Sequence, residues 1–310
     1  MPKEYFIFKI NNKCNSLCNF CADSLKVRAH KELEPAEIIS AIEKEKRDGT
    51  KRLLITGGEP TISPHLIAAL KRGRELGFET INITTNARRL GDKEYFDKVN
   101  GYIDVYIVSF FSANPLVFDK ISGVKGAFAE ASRALLNIAK SEGKTLCINC
   151  VLSRLNYREM ESILAYLYSL NAKSVQFSFA NIVGFFRENF EELFADYHEI
   201  IPYAVSAVKL ANYLGYKGLN FENFPICTFS GHIPLKEIMP MISDLHHPEG
   251  NKEYYSSGKV HTKKCEGCFF LNRCEGIYEE YYRRKGDNAL RTIKEEDLEG
   301  QKEESESEKD

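Results

Sequence analysis

The sequence predicts an α/β fold, a partial (β/α)6 barrel followed by a small, irregular C-terminal module. Over the first two thirds of the 310 residues, short apolar runs alternate with amphipathic stretches. This alternation is typical of repeated βα units around a parallel sheet. The following stretch, 223–274, is rich in Pro, Gly, His and Cys, which indicates a metal-stapled module with few regular elements.

The elements follow from these runs. Six apolar runs predict strands at Tyr5–Ile10, Arg52–Thr56, Thr80–Ile83, Ile103–Val108, Thr145–Leu152 and Ser174–Phe179. Five amphipathic stretches between them predict helices at Pro35–Arg47, Pro64–Leu76, Lys93–Val99, Ala127–Ala139 and Tyr157–Leu170. A single longer helix is predicted from Glu188 to Leu214.

Composition narrows the class of protein. The chain has 42 basic and 44 acidic residues, so it has no large positive field that would favour nucleic acid as a partner. No stretch approaches the roughly 20 apolar residues of a membrane span, so we expect a cytoplasmic protein without a membrane partner. Nine cysteines, most of them clustered, then indicate metal ligation, because a reducing compartment disfavours disulfides.

A cysteine loop follows the first predicted strand. Cys14, Cys18 and Cys21 have the spacing C-x3-C-x2-C. Three thiolates are one fewer than a fully ligated cubane needs, so this loop suits a 4Fe-4S cluster with one iron open to a reactant. Zinc loops usually present two C-x2-C pairs, and no second pair lies nearby in the sequence.

Two further motifs follow the second and third strands. The GGEP segment 57–60 comes after strand two, and the TTN segment 84–86 comes after strand three. In parallel α/β folds the loops at the carboxyl ends of the strands share one edge, so these segments should meet the cysteine loop. Glycines allow close approach of the backbone to a ligand, and the Glu59 carboxylate can accept hydrogen bonds from an ammonium group. Alone, GGEP would be an ordinary turn.

The CNSLCNFC loop, with Phe20 directly before its last cysteine, and the GGEP turn resemble the radical SAM superfamily of TIM-like partial barrels. The resemblance implies that Cys14, Cys18 and Cys21 are the catalytic set and hold a 4Fe-4S cluster whose fourth iron is chelated by S-adenosylmethionine (SAM). It implies reductive cleavage of SAM to methionine and a 5'-deoxyadenosyl radical, which abstracts a hydrogen atom from the substrate. An electron donor such as a flavodoxin or ferredoxin is implied as a partner.

The same resemblance implies cofactor contacts. Glu59 is assigned towards the SAM amine, INITTNARRL resembles a T-N-G element in which Ala87 replaces the glycine, and VSFFSANP resembles S-x-H/D-G, from which Phe111 and Ser112 depart. CINCVLSRLNY resembles segments that flank the adenine. The implied cofactor-binding residues are Phe20, Gly57, Gly58, Glu59, Thr85, Asn86, Ser109, Val151 and Asn156. For the three segments INITTNARRL, VSFFSANP and CINCVLSRLNY, the alternative interpretation is an ordinary strand end or helix cap.

A second cysteine set lies near the C-terminus. Cys265, Cys268 and Cys274 form C-x2-C-x5-C, and Cys227 adds a fourth thiolate. Four thiolates complete a fully ligated iron-sulfur cluster. The region resembles SPASM and twitch modules, which implies an auxiliary 4Fe-4S cluster.

The metal of this second set stays open on residue type alone. Four cysteines also satisfy a structural zinc site, in which His261 or His232 could replace a thiolate. Tyr278 stands where a fuller SPASM module has another cysteine, so we expect a truncated, twitch-like module.

The predicted domains are a radical SAM core over 1–222, an auxiliary-cluster module over 223–285 and a disordered acidic tail over 286–310. The predicted function is a radical SAM enzyme that acts on a peptide, a protein or a small-molecule biosynthetic substrate. The cluster loop begins at residue 14, so we expect no leader-recognition domain before it. The alternative is an iron-sulfur or zinc protein that binds partners or transfers electrons without SAM chemistry.

Overall fold

The structure, a computed structural model, describes residues 4–22, 33–243 and 258–299. Seven strands of this part form one sheet in the order β1-β2-β3-β4-β5-β6-β7, which confirms the predicted α/β partial barrel. The strands are β1 Tyr5–Lys9, β2 Arg52–Thr56, β3 Thr80–Thr85, β4 Val105–Ser109, β5 Thr145–Leu152, β6 Ser174–Phe179 and β7 Leu219–Glu222. Two short antiparallel strands form a second sheet, β8 Lys259–Val260 and β9 Ile277–Tyr278.

Helices follow the strands. Those of the amino-terminal half are α1 Pro35–Arg47, α2 Leu66–Glu75, α3 Lys93–Asn100, α4 Pro115–Ser122 and α5 Ala127–Ala139. The others are α6 Met160–Ser169, α7 Gly184–Glu188, α8 Phe190–Leu193, α9 Tyr197–Tyr213, α10 Leu235–Ile238, α11 Glu279–Lys285 and α12 Glu296–Glu299. Single 3-10 turns precede several of them, including one at Pro60–Ile62 and one at Arg88–Gly91.

The chain divides into two compact units. The first comprises Met1–Val151, Ser162–Val175 and Val183–Asn189, and the second comprises Leu152–Glu161, Gln176–Ile182 and Phe190–Asp310. This division does not coincide with the predicted boundary at residue 222. That boundary separates the two regions that carry the cysteine motifs, and it stays a prediction.

The first unit contains the parallel pairs from β1 to β5. Leu53 and Ile55 of β2 and Ile81 and Ile83 of β3 are fully buried, and Gly73 of α2 lies against Leu53 and Ile81. Burying these side chains stabilises the sheet against its helices. Since parallel strands point the same way, the loops after β1, β2 and β3 lie at one edge of the sheet.

The second unit has an aromatic core. The rings of Phe179 and Tyr197 stack with centroids 4.2 Å apart, and Phe224 and Tyr281 pack around them. Aromatic side chains of this size dominate the energetics of burial. Within 223–274, the described residues 223–243 and 258–274 form one short helix, 3-10 turns and the two-residue strand β8, which agrees with the few regular elements predicted there.

The predicted helix from Glu188 to Leu214 is wrong as a single element. The chain forms α7, α8 and α9 there, and Asp196 starts α9 from an extended backbone conformation with φ −76° and ψ 157°. Its side chain accepts a hydrogen bond from the backbone N–H of His198, and Glu199 accepts one from the Asp196 N–H. This capping box fixes a new helix start inside the predicted run. The structure also adds α4 and β7 to the predicted elements.

The predicted tail begins later than residue 286. Leu290 and Ile293 are buried, and the carbonyl oxygen of Ile293 accepts a hydrogen bond from the backbone N–H of Phe269 at 2.7 Å. These apolar residues precede the acidic run and belong to the packed part of the second unit. Residues 300–310 of the predicted tail lie outside the described residues. Across the described ranges, no helix combines the length and apolar character that a membrane span requires.

Candidate functional site

The cysteine loop is anchored by backbone hydrogen bonds within the first unit. The bonds run from Leu17 N–H to Ser122 O at 2.9 Å, from Asn19 N–H to Ile121 O at 3.1 Å and from Phe185 N–H to Cys21 O at 3.1 Å. Gly123, with φ +68°, lies so close to Leu17 that a Cβ there would meet the Leu17 carbonyl oxygen at 2.7 Å. The C-terminal end of α4 therefore fixes the middle of the loop.

Gly57 and Gly58 lie against the segment that leads into the cysteine loop. A Cβ at Gly58 would meet the carbonyl oxygens of Lys13 at 2.3 Å and Asn12 at 2.5 Å. The backbone N–H of Gly58 donates to Asn11 O at 3.0 Å, and that of Glu59 donates to Lys13 O at 2.7 Å. The close approach expected for a ligand is thus made, in this structure, to another loop of the chain.

The Glu59 carboxylate is fully buried and joins the loops after β2 and β3. Oε1 accepts hydrogen bonds from Thr61 N–H at 2.9 Å, Thr61 Oγ1 at 2.6 Å and Thr85 Oγ1 at 2.6 Å, while Oε2 accepts one from Asn86 N–H at 2.7 Å. Burial raises the pKa of Glu59, and these hydrogen bonds oppose that rise. The structure places Glu59 at the predicted edge. Among the described residues, Oε1 has three donors and Oε2 has this one, so Oε2 has capacity for another.

The TTN segment contributes to the same network. The Thr85 hydroxyl donates to Glu59 and accepts from the backbone N–H of Ala87 at 2.9 Å, so both of its functions are used within the chain. The Asn86 amide nitrogen donates to Asn15 Oδ1 at 2.8 Å and lies 3.8 Å from Cys14 Sγ. Asn86 therefore contacts the cysteine loop directly.

Ala87 stands in a conformation that explains the glycine of the T-N-G pattern. Its φ is 60° and its ψ is −2°, in the left-handed region, and it is fully buried. This region strains a residue with a Cβ and is free of strain for glycine.

Phe20 and Ser109, two of the expected cofactor-binding residues, both lie in the first unit. Phe20 packs edge-on against Phe111, with ring centroids 5.0 Å apart, so the departure at Phe111 from the S-x-H/D-G pattern supplies a partner for Phe20. Ser109 ends β4, is half-buried and pairs in register with Asn149 of β5.

Val151 and Asn156 fall in different compact units, Val151 in the first and Asn156 in the second. Val151 is half-buried at the end of β5. Asn156 is fully buried, and its Oδ1 accepts from the backbone N–H of Ser153 at 2.7 Å. This bond gives Asn156 a structural part in its own loop.

Burial favours the protonated thiols of Cys14 and Cys18 in the first loop. Burial raises the pKa of Cys14 to about 11, with the Ser16 backbone N–H opposing the rise and the charges of Glu59 and Cys21 adding to it. Burial also raises the pKa of Cys18, and the charges of Cys14 and Cys21 add to that effect. Because metal ligation requires thiolates, loading of this loop would release protons.

The second cysteine set surrounds a cavity in the second unit. Cys227, Cys265, Cys268 and Cys274 all line a space of about 340 Å³, part of it open to solvent, together with His261. Burial raises the pKa of Cys227 to about 11, and the nearby Cys268 and Cys265 add to this rise. Cys274 Sγ accepts a hydrogen bond from Gly276 N–H at 3.4 Å.

The two histidines considered for this set differ in position. His261 lines the cavity, and its Nε2 lies 2.8 Å from the carbonyl oxygen of Cys274. His232 is exposed and does not line the cavity. Of the two histidines, His261 is therefore the one that is positioned to replace a thiolate as a metal ligand.

The donor chemistry of both sets fits iron-sulfur clusters. All nine cysteines lie within the described residues, and none of them forms a disulfide there. In the first set Cys14 and Cys21 add to the raised pKa of Cys18, and in the second set Cys265 and Cys268 add to that of Cys227. Over the described ranges, no three Cys, His, Asp or Glu side chains already converge at the spacing of one bound metal ion.

One residue at this edge was not among the sequence candidates. Arg88 opens the 3-10 turn after β3, and its guanidinium bonds to the Asn15 carbonyl oxygen and, at 2.6 Å, to Glu130. The sequence offers no spacing signal for it, because its partners lie 73 and 42 residues away.

The fold and this edge define a class of protein, an α/β partial barrel whose first loop presents three cysteines beside a GGEP turn. Residues 8–167 match the radical SAM superfamily. Since the match spans more than half of the chain, this protein belongs to the radical SAM superfamily.

Solved structures with a similar fold include two proteins. SuiB of Streptococcus suis, bound to the precursor peptide SuiA, aligns with a TM-score of 0.62 and 16% identity over 94% of this chain and 75% of SuiB. anSMEcpe with bound AdoMet and the Kp18Cys peptide aligns with a TM-score of 0.62 and 15% identity over 93% of this chain and 92% of anSMEcpe. At these identities the likeness concerns the fold.

Proposed function

We propose that this chain is an enzyme that cleaves SAM reductively and abstracts a hydrogen atom from a peptide substrate. The observation that carries the proposal is the meeting of three loops at one edge of the sheet. Cys14 contacts Asn86, Asn86 bonds to Glu59, and the Glu59 backbone bonds to Lys13, just before Cys14. An electron-transfer protein has no need of such a shared edge.

Each loop has a part in this proposal. Cys14, Cys18 and Cys21 would hold a 4Fe-4S cluster with one iron left for SAM. Glu59 Oε2 would accept a hydrogen bond from the SAM amine, while Phe20, Gly57, Gly58, Thr85, Asn86, Ser109 and Val151 would shape the surrounding pocket. When bound, the cluster supplies the electron that breaks the carbon-sulfur bond of SAM.

The second set, Cys227, Cys265, Cys268 and Cys274, would hold an auxiliary 4Fe-4S cluster in a twitch-like module. The four thiols around one cavity support this assignment. A flavodoxin or ferredoxin would supply electrons to the chain.

A peptide is the proposed substrate class. Two proteins of the same fold, SuiB and anSMEcpe, were solved with peptides bound, which supports a peptide over a small molecule here. Peptides encoded beside the gene are the first substrates to try. Mass spectrometry should show hydrogen loss or a new bond in one of them, and turnover confined to small molecules would overturn this assignment.

The test of the reaction is the formation of 5'-deoxyadenosine. The chain is reconstituted anaerobically with iron and sulfide and then given dithionite and SAM. We expect product from the wild type and from Cys147→Ala, a cysteine outside both sets, and none from the Cys14→Ala/Cys18→Ala/Cys21→Ala variant. A reduced, intact cluster without product would favour the electron-transfer alternative.

A further inference from the structure

Arg88 lies between the cysteine loop and helix α5. Its side chain is only 12% exposed, although arginine is usually a surface residue. Arg88 is the first residue of a 3-10 turn and directly follows Ala87, which has a left-handed conformation. Ala87 therefore separates Arg88 from Asn86, whose side chain contacts Cys14.

The guanidinium holds the segment that follows Cys14. One terminal nitrogen donates to the carbonyl oxygen of Asn15 and lies 3.4 Å from Ser16 Oγ. The Nε atom donates to Glu130 Oε2 at 2.6 Å, which fixes the plane of the guanidinium from the other side. A planar group with several donors suits such bridging, because less rotamer freedom is lost for each bond formed.

A second tether runs to the same two residues. The Asn86 amide nitrogen donates to Asn15 Oδ1 at 2.8 Å and to Ser16 Oγ at 3.3 Å. Arg88 and Asn86 thus hold Asn15 and Ser16, the residues between Cys14 and the α4 anchor at Leu17. Arg88 differs from Asn86 in carrying a positive charge, which lies against Asn15 and Ser16, the two residues that follow Cys14.

We infer that Arg88 is a positioning residue for the cluster, which orders the 15–16 segment and places a fixed positive charge beside the thiolates. This inference rests on the proposed function. A reduced cluster carries one more negative charge than the oxidised cluster, so a nearby cation raises the reduction potential. Groups that hold metal ligands in this way affect loading and potential without touching the substrate.

The potential is tested in a chain that also carries Cys268→Ala and Cys274→Ala, so that the first-loop cluster is followed alone. We expect Arg88→Gln to disfavour reduction about tenfold, which is about 59 mV for one electron. Arg88→Lys should recover most of the potential, because it keeps the charge. Glu130→Gln should shift the potential upward, because it removes the counter-charge and leaves the guanidinium.

Arg89→Gln is the matched control. Arg89 is the next residue and carries the same charge, but its guanidinium donates to Thr61 O at 2.6 Å and lies 3.9 Å from the Tyr95 ring centroid. We expect its loss to shift the potential less than Arg88→Gln does. Equal shifts for the two variants, or no shift for Arg88→Gln, would overturn the inference.

Loop order is measured separately in the metal-free, full-length chain by the rate of thiol alkylation at Cys14, Cys18 and Cys21. We expect Arg88→Gln to increase these rates severalfold, Arg88→Lys to increase them less, and Arg89→Gln to leave them unchanged. Unchanged rates in Arg88→Gln would contradict the positioning role. If circular dichroism shows that Arg88→Gln is unfolded, the inference is tested by the reduction potential of Glu130→Gln. An upward shift supports the inference, and a downward shift or no shift overturns it. Neither readout uses SAM, so failure of the proposed SAM chemistry would leave these results unaffected.

Discussion

The backbone N–H of Asn86 donates a 2.7 Å hydrogen bond to Oε2 of the buried Glu59 carboxylate, and this bond joins the loop after β2 to the loop after β3. Asn86 in turn bonds to Asn15 in the loop after β1. The three loops are therefore joined by hydrogen bonds within the chain alone, without any cofactor.

Glu59→Gln should destabilise the metal-free chain by about 2 kcal/mol at pH 5, because the amide nitrogen that replaces one carboxyl oxygen cannot accept the hydrogen bond of a buried donor. Burial raises the pKa of Glu59. The contribution of Glu59 to stability is therefore fully present below its unfolded-state pKa, about 4.5, and is lost as the pH rises through the folded-state pKa.

The difference in unfolding free energy between wild type and Glu59→Gln should then be smaller at pH 8 than at pH 5. Urea unfolding under reducing, anaerobic conditions measures it. Glu94→Gln is the control, because Glu94 is 82% exposed and should change stability by less than about 0.5 kcal/mol. A difference that grows with pH would show that the pKa of Glu59 is lowered instead.

Gly58→Ala should destabilise the fold by about 1–3 kcal/mol, since its Cβ would meet the Lys13 carbonyl oxygen at 2.3 Å and push the cysteine loop away. Gly101→Ala is the matched control. Gly101 has φ −60° and open space around its Cβ position, so its substitution should be neutral or stabilise by up to about 1 kcal/mol. Thermal or denaturant midpoints compare the two, and equal effects would refute the close approach.

Ala87→Gly should leave stability within about 1 kcal/mol of the wild type or raise it, because relief of left-handed strain offsets the entropy of glycine. Ala131→Gly, in the middle of α5, has no such strain to relieve and should cost about 1 kcal/mol or more. If the two variants lose the same stability, the left-handed conformation of Ala87 is not a strained one.

The Cys14→Ala/Cys18→Ala/Cys21→Ala variant should retain about four irons and matching sulfide after anaerobic reconstitution, bound by the second cysteine set. Adding Cys227→Ala, which removes one ligand, should lower this retained iron. Elemental analysis beside a sulfide assay checks both. Zinc without iron in the triple variant would identify the second set as a structural zinc site.

Local patterns in the sequence predicted most of the first unit. β2, β5, α1 and α5 have the predicted bounds because each is a run of one periodicity between clear breaks. The prediction of a single helix across 188–214 was wrong because apolar residues occur on both sides of Asp196. The capping box that begins a new helix there is a weaker signal in the sequence. The strand β7 was missed because it has only four residues.

The candidate site shows a similar limit. Motif spacing located Cys14 and Glu59, whereas the network that connects them depends on contacts between distant parts of the chain. Arg88 is the clearest case, since an arginine after a strand has no distinctive sequence pattern until Asn15 and Glu130 are placed beside it. The tail boundary was set too early because Leu290 and Ile293 are isolated apolar residues, and Phe269, which bonds to Ile293, is distant in the sequence.

In the proposed site the first loop leaves one iron of its cluster open to SAM. Electron-nuclear double resonance tests it on the dithionite-reduced Cys268→Ala/Cys274→Ala chain, with SAM labelled by 15N in its amine and 17O in its carboxylate. We expect hyperfine coupling of both labels to the cluster. A spectrum without coupling from either label, in a chain whose cluster is intact and reduced, would contradict it.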